Sequence, residues 1–467
     1  MDGIIFIDFF GDFIFPEYCK ITAMEQAQTN KSDLIAIAEK TLEYAKQAGA
    51  SAAEVDIGTG QGLSVTVRLG EVETIEHQRD KGMGITVYFG KKRSSANTTD
   101  FSDKALQETV NKACTIAKYA NEDDCAGLLD PQYLAHEIPD LNLYHPWDIT
   151  PDAAIKLAVE CEDSARQTDN RITNADGTVL NTYGGTHVYG NSNGFCNGWQ
   201  WTSHSLECAV IAEQDGKMQR DGWYTRARDH SELQTVTEVG AYAANRTITR
   251  LGARKLPTCN VPVIFEAPVA RGLLATFLSA IAGGALYRKA SFLLDSLGKQ
   301  VFSSHINMRE QPHIPKAPGS APFDNDGMAT RTRDLVSNGI LQGYLLSAYS
   351  ARKLGMTPTG NAGGVHNLTI EPGSYDLAGL IKLMNRGLLI TDMIGFGVNN
   401  VTGDYSRGAM GLWIENGEIQ FPVEEVTVAG NLAQMYQQIL EVGTDTDRRG
   451  NVQTGSILIE NMMIAGN

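Results

Sequence analysis

The chain has 467 residues, 42% of them apolar and 20% charged, a length and balance that suit a folded protein of two or three domains. Its formal charge of −16, with lysines and arginines scattered singly and in pairs, would repel a phosphate backbone and argues against nucleic acid as a partner. Seven cysteines without a C-x-x-C pair read as reduced thiols of a cytoplasmic protein, not as a disulfide framework or a zinc finger.

The opening stretch "MDGIIFIDFFGDFIFPEYCKITAMEQ" is apolar, but it has no basic residue before Lys20, and Asp8 and Asp12 interrupt it. It therefore makes a poor export signal. Met24 opens a more soluble beginning, so the first 23 residues are expected to be an extended start assignment. No later segment holds eighteen consecutive apolar residues, so no membrane span is expected.

From Ser32, Leu34, Ile37, Ala38, Leu42 and Ala45 recur at helical spacing, and Gly49 stops the pattern. "AEVDIG", "GLSVTVRL", "EVETIEHQ" and "GMGITVYF" alternate between Gly58, Gly70 and Gly82 and predict a set of short antiparallel strands. A second helix follows Ser102, with Leu106, Val110, Ala113 and Ala117 on one face, and a third starts at Thr150 with Pro151 in its first turn. Residues 172–226 predict a meander with hairpin turns at Asp176-Gly177 and Asp215-Gly216. Helical spacing returns over 232–251, "VPVIFE" (261–266) reads as a buried strand, and an apolar helix from Pro268 is expected to end at Gly283-Gly284. Glycine-rich short strands fill the rest, with the clearest hairpin at Asn416-Gly417. The predicted fold is α+β. Residues 1–30 form an N-terminal extension, 31–240 an N-terminal α/β unit with antiparallel strands and a β-meander, and 241–467 a β-rich C-terminal domain with an open-barrel-like antiparallel sheet.

Local catalytic motifs are scarce. No two of the nine histidines lie within five residues of each other, so no zinc-peptidase helix pair exists, although His305 and His313 with Glu310 could form a scattered site. "GNSNG" (190–194) matches a serine-hydrolase elbow but sits between strand-like segments, where a hairpin loop is expected. The carboxylate pairs of "FDNDG" (323–327) and "TDTDRRG" (444–450) lack the further ligands of a calcium loop and read as solvated turns. Between Arg271 and Arg288 the only titratable side chain is Tyr287, so that helix can neither hold a metal nor move a proton at neutral pH. Its nearly unbroken apolar circumference predicts burial all round.

"VYFGKKRSSANTTDFS", "IAGGALYRKASFLLDSLGKQ", "GNAGGVHN", "TGDYSRGAMGLWIENGEIQFPVEEVTVAGN" and "SILIENMMIAG" closely resemble the TldD/PmbA peptidase family, in its PmbA (TldE) branch, from about Lys31 to the end. The resemblance implies a subunit that pairs with a TldD-like chain as a heterodimeric metalloprotease acting on small or unfolded peptides. In the TldD branch an HExxxH helix and a C-terminal cysteine hold the zinc. Aligned on Arg288-Lys289, the HExxxH segment falls on "ATFLSA" (275–280), and the cysteine falls near Thr454. No ligand position is filled, so no catalytic or metal residue is transferred, and zinc is expected only in the partner.

The expectation is thus a non-catalytic, cytoplasmic subunit that closes a chamber and binds peptide backbone along exposed strand edges. The candidate peptide-binding residues are Tyr405, Ser406 and Arg407 in "TGDYSRGAMG", with His366 and Asn367 as secondary candidates. A homodimer in isolation is a further expectation. The competing readings are a self-sufficient metallopeptidase with an unfamiliar site and a peptide-binding regulator with no protease role.

Overall fold

The computed structural model describes residues 30–466, so the expectations for the first 23 residues and Met24 lie outside the described residues. Helix α1 (Lys31–Gln47) starts at Asn30, whose side chain accepts from Asp33 N–H while the Asp33 carboxylate accepts from Asn30 N–H. This reciprocal cap satisfies two N–H groups that a helix start leaves orphaned. The four short strands expected next are two long ones, β1 (Ala52–Arg68) and β2 (Glu71–Phe89). Only Leu69-Gly70 turns, with both φ angles positive; Gly58 and Gly82 sit opposite each other in unbroken strands. Strand β3 (Lys92–Thr98) and α2 (Asp103–Tyr119), capped by Ser102, follow.

Helix α3 (Pro151–Thr168) begins at the Thr150 cap as expected and leads into β4 (Ile172–Asn191), β5 (Cys196–Gln214) and β6 (Lys217–Ala227). Asp215-Gly216 makes the predicted turn, whereas Asp176-Gly177 is a bulge within β4. "GNSNG" is the β4–β5 hairpin loop. Helix α4 (Val236–Thr249) packs against α3 and β6, so the division expected at residue 240 falls inside a helix of the first unit.

The first sheet runs β3-β2-β1-β4-β5-β6, entirely antiparallel and curved into a half-barrel. Strand alternation puts Ala53, Val55, Ile57, Leu63, Val65 and Val67 of β1 on one face. Helices α1 and α2 cover one end of that face, and α3 and α4 cover the other. Each fully buried branched aliphatic side chain there contributes roughly 1.5–3 kcal/mol. The opposite face carries Glu54, Asp56, Tyr183 and His187, with Tyr189 in a separate buried cluster with Leu134, Phe323 and Ala348.

The second unit opens with β7 (Cys259–Phe265), α5 (Ala267–Ala280) and α6 (Gly283–Tyr287). Helix α5 stops at Ala280, three residues before the expected double glycine. Gly283 instead starts α6, where a Cβ would lie 2.3 Å from Ser350 Oγ. Then come β8 (Met308–Glu310), β9 (Arg333–Ser337), β10 (Ile340–Leu341), α7 (Ala348–Leu354), β11 (Leu368–Ile370), α8 (Leu377–Met384) and β12 (Gly387–Ile394). Last are β13 (Asp404–Glu415), β14 (Glu418–Asn431), α9 (Leu432–Gln437), β15 (Ile439–Val442), β16 (Val452–Gln453) and β17 (Ile457–Ala465). Asn416-Gly417 makes the expected β13–β14 turn.

A small sheet runs β10-β9-β8-β11-β16, and the larger one β14-β13-β12-β7-β17-β15. Pairing of β14 with β17 closes the larger sheet into a five-strand ring, so the barrel is shut rather than open, and its β12–β7 pair is parallel. The fold class is α+β, as the sequence predicts. Arginines bridge the two units. Arg352 donates to the carbonyls of Cys125, Gly127 and Leu128, and Arg228 donates to those of Ala317 and Pro318.

Candidate functional site

Helix α5 follows β7 directly, with Pro268 in its first turn, where the missing N–H costs nothing. Ala267 N–H donates to Ser456 Oγ at 3.0 Å, and Ser456 donates to Asp445 at 2.6 Å, so β17 and its approach hold the helix start. The Glu266 side chain turns away to Arg246, with both carboxylate oxygens within 2.9 Å of Nη1. Burial raises the Glu266 pKa, and Arg246 opposes that rise.

Inward, Leu273, Leu274, Phe277, Leu278 and Ala280 are buried, and Phe277 packs edge-on to Phe302 at 4.9 Å. Thr276 Oγ1 lies 2.9 Å from the hydroxyl of the fully buried Tyr436. Outward, Gly272, Ala275 and Ser279 are exposed. The predicted all-round burial therefore fails on one side, because the residues there are too small to register as polar. Thr454 is fully buried, and its hydroxyl meets Gly455 O.

An ion-paired cluster lies beside the start of α5. Asp447 accepts from Arg449 at 2.9 and 3.0 Å and from Arg271 at 3.1 Å. Burial opposes its charge, but the Arg449 and Arg271 contacts outweigh burial and hold the carboxyl below the usual carboxylate range. Arg449 also stacks over Trp223 at 3.9 Å and Tyr224 at 4.1 Å, tying the second unit to β6. Asp324 is 2% exposed and accepts from the N–H groups of Asp326, Met328 and Ala362. Burial, with Asp326 nearby, pushes its pKa up to about 7. Neither "TDTDRRG" nor "FDNDG" is the solvated turn expected. Both are internal braces, and only a partner distant in sequence distinguishes a brace from a turn.

The sequence-picked residues separate into two places. Tyr405 is 3% exposed and meets Phe265 edge-on, so it supports the barrel wall rather than presenting itself to a ligand. Ser406 is exposed, its N–H donates to Gly397 O, and Arg407 Nε donates to Gly395 O. Together they hold the Gly395-Phe396-Gly397 segment, whose phenylalanine is fully exposed. His366 has each ring nitrogen facing a carbonyl, of Gly319 and of Gly360. Asn367 is fully buried and bonded to Gly319, Gln311 and Ser320, which makes it a loop pin. Glu310 is bound to Arg333, Asn361 and the His366 N–H, so it is committed inside the fold rather than free for His305 and His313. Among the described residues no group of three or more His, Cys, Asp or Glu is placed to hold a metal ion.

Family-wide sequence profiles described as PmbA/TldA metallopeptidase domain 1, central domain and C-terminal domain match residues 53–117, 144–251 and 258–466. The chain belongs to the PmbA/TldD metallopeptidase family. It is 49% identical to the metalloprotease PmbA of Escherichia coli O157:H7, over 89% of this chain and 92% of that one. The PmbA homolog of Haemophilus influenzae is 46% identical, over 96% and 98%. A Bacteroides thetaiotaomicron protein named as a candidate modulator of DNA gyrase superposes with a TM-score of 0.89 at 27% identity, covering 94% of this chain and 100% of that one. TldE of Thermococcus kodakarensis shares the fold, with a TM-score of 0.82 at 22% identity over 92% and 100%. The PmbA/TldD name implies a metal, but the side chains of α5 do not fit one. Thr276 and Ser279 are its only polar groups beyond Arg271, and neither is a usual ligand of a peptidase zinc.

Proposed function

We propose that this chain is the metal-free subunit of a cytoplasmic heterodimeric metallopeptidase that cuts small or unfolded peptides. The zinc and its HExxxH ligands belong to a TldD-like partner, while this chain buttresses that partner, closes the chamber and contributes peptide contacts. The observation that carries this reading is α5, which holds "ATFLSA" in place of HExxxH and commits Phe277 and Ala280 to the core. Similarity to PmbA proteins over nearly the whole chain supports a subunit role rather than an unrelated reuse of the fold. Ser406 and Arg407 hold a protruding loop suited to contact with a partner or peptide. Among the described residues no helix is long and apolar enough to cross a membrane.

The test is co-expression with the TldD-like protein of the same genome, followed by zinc analysis and cleavage of a flexible peptide for each chain alone and together. The pair is expected to cut, with zinc in the partner. Stoichiometric zinc and cleavage by this chain alone would overturn the reading, and so would failure of the two chains to co-purify.

A further inference from the structure

Two short basic runs, Lys91-Lys92-Arg93 at the start of β3 and Arg288-Lys289 after α6, belong to different units and lie far apart in the sequence. A pair of tyrosines joins them. The Arg93 guanidinium lies 4.9 Å from the ring centre of Tyr349 in α7, Tyr349 meets Tyr287 of α6 edge-on at 5.8 Å, and the Arg288 guanidinium lies 5.3 Å from the Tyr287 ring centre. Lys353 Nζ stands 5.4 Å from the Tyr349 ring centre.

Arg288 is held in place without being neutralised. Its Nη1 donates to the Tyr287 hydroxyl at 3.1 Å, and its fork folds back over Gly284, where a Cβ would stand 3.3 Å from Nη2. Arg93, Arg288 and Lys289 are all exposed, and among the described residues none of them forms an ion pair. The carboxylates around them are engaged elsewhere. Asp123 binds Lys353 and accepts from the Tyr349 hydroxyl, Glu54 accepts from the hydroxyls of Tyr88 and Tyr189, and Asp326 accepts from the Ala348 N–H. Exposed Glu122 and Asp124 flank Asp123 and pair with none of the three cations. Lys289 also has a φ of +56°, the left-handed position after a helix that glycine fills without strain. A lysine there is a poor stop for the helix but adds a charge beside Arg288.

Guanidinium N–H groups with no ionised partner are ready donors to a carboxylate, often through two parallel bonds. A long polyanion suits the molecule poorly, because the formal charge of −16 repels it along most of its contact. One or two carboxylates feel mainly the charges within a screening length of about 8 Å.

We infer that Arg93, Arg288 and Lys289 form a carboxylate-binding site, walled by Tyr287 and Tyr349, that receives the acidic side chains or the free carboxyl end of an unfolded peptide. The inference rests on the peptide-handling reading and names the part of the peptide that this chain grips.

Fluorescence anisotropy on the purified full chain tests it, with a flexible peptide of glycine, serine and glutamate that carries a neutral fluorophore at its amino end. Arg93→Gln with Arg288→Gln should raise the dissociation constant about tenfold or more. Lys104→Gln with Lys112→Gln, which removes the same charge from exposed positions on α2, should leave it within about twofold of native. Replacing the peptide's glutamates by glutamine, or amidating its carboxyl end, separates the two sources of carboxylate, since the change that weakens binding about tenfold identifies the group that is held. Matching melting temperatures show that the variants fold, and Arg288→Gln alone serves if the double variant does not. Equal affinity for all three peptides, equal binding by the native chain and the arginine variant, an equally large loss in the α2 variant, or no peptide binding at all would each overturn the inference. Those results leave the peptidase reading to its own test, zinc and cleavage in the co-expressed pair.

Discussion

Asp447 shows what a single carboxylate holds in place. Two guanidiniums, Arg271 and Arg449, converge on it in a largely buried setting, and one of them carries the stacking on Trp223 and Tyr224. Removing one member of such a group strands the others. Asp447→Asn is expected to cost about 3 kcal/mol in urea denaturation, since two arginines lose their counter-charge. Asp324 predicts a different signature. Its folded pKa of about 7 lies above the ordinary carboxylate value, so the folded state binds the proton more tightly than the unfolded chain does. The stability it contributes is full below about pH 4 and is lost as pH rises toward 7. Asp324→Asn should therefore flatten the fall in stability between those two values, measured by denaturation across pH. A slope unchanged by the substitution would count against this assignment.

At the scale of elements, the helices were legible and the glycines were not. Asn30, Ser102 and Thr150 mark helix starts by side-chain caps, a signal local to a few residues. Glycine has no such single meaning. At Gly70, Gly216 and Gly417 a positive φ makes a turn, but Gly58 and Gly82 lie in extended strand and Gly177 fills a bulge. Reading each as a stop cut β1 and β2 in half. The closed ring was illegible for another reason. It needs β14 to meet β17, and no local pattern reports that pairing. The lack of His, Cys, Asp and Glu in α5 is a matter of residue type alone and so is plain in the sequence, whereas Tyr405 and Asn367 were misplaced on the surface because tyrosine and asparagine serve equally in cores and in grips.

For the whole molecule, the proposed partnership needs a surface, and Phe396 is the most exposed large apolar side chain described. Arg407 and Ser406 hold its loop to β13, so the ring is presented on a tethered support. Fully exposed rings on a held loop are what interfaces use as anchors. Phe396→Ala should leave thermal stability nearly unchanged, within about 0.5 kcal/mol, because the ring packs on nothing among the described residues. It should weaken binding to the TldD-like partner about tenfold or more, read by titration calorimetry. Equal affinity in the variant would remove the loop from the interface.

The closure of the C-terminal ring also sets an order of events in synthesis. Strand β7 lies between β12 and β17, and β14 also closes on β17. Until residues 457–465 leave the ribosome, β7 and β14 both keep an open edge about 200 and 40 residues upstream. The first sheet waits for nothing so distant, since its six strands are complete by Ala227. A nascent chain therefore carries a finished half-barrel ahead of an unfinished ring. Those open edges belong to the later half, where a holding chaperone has something to protect.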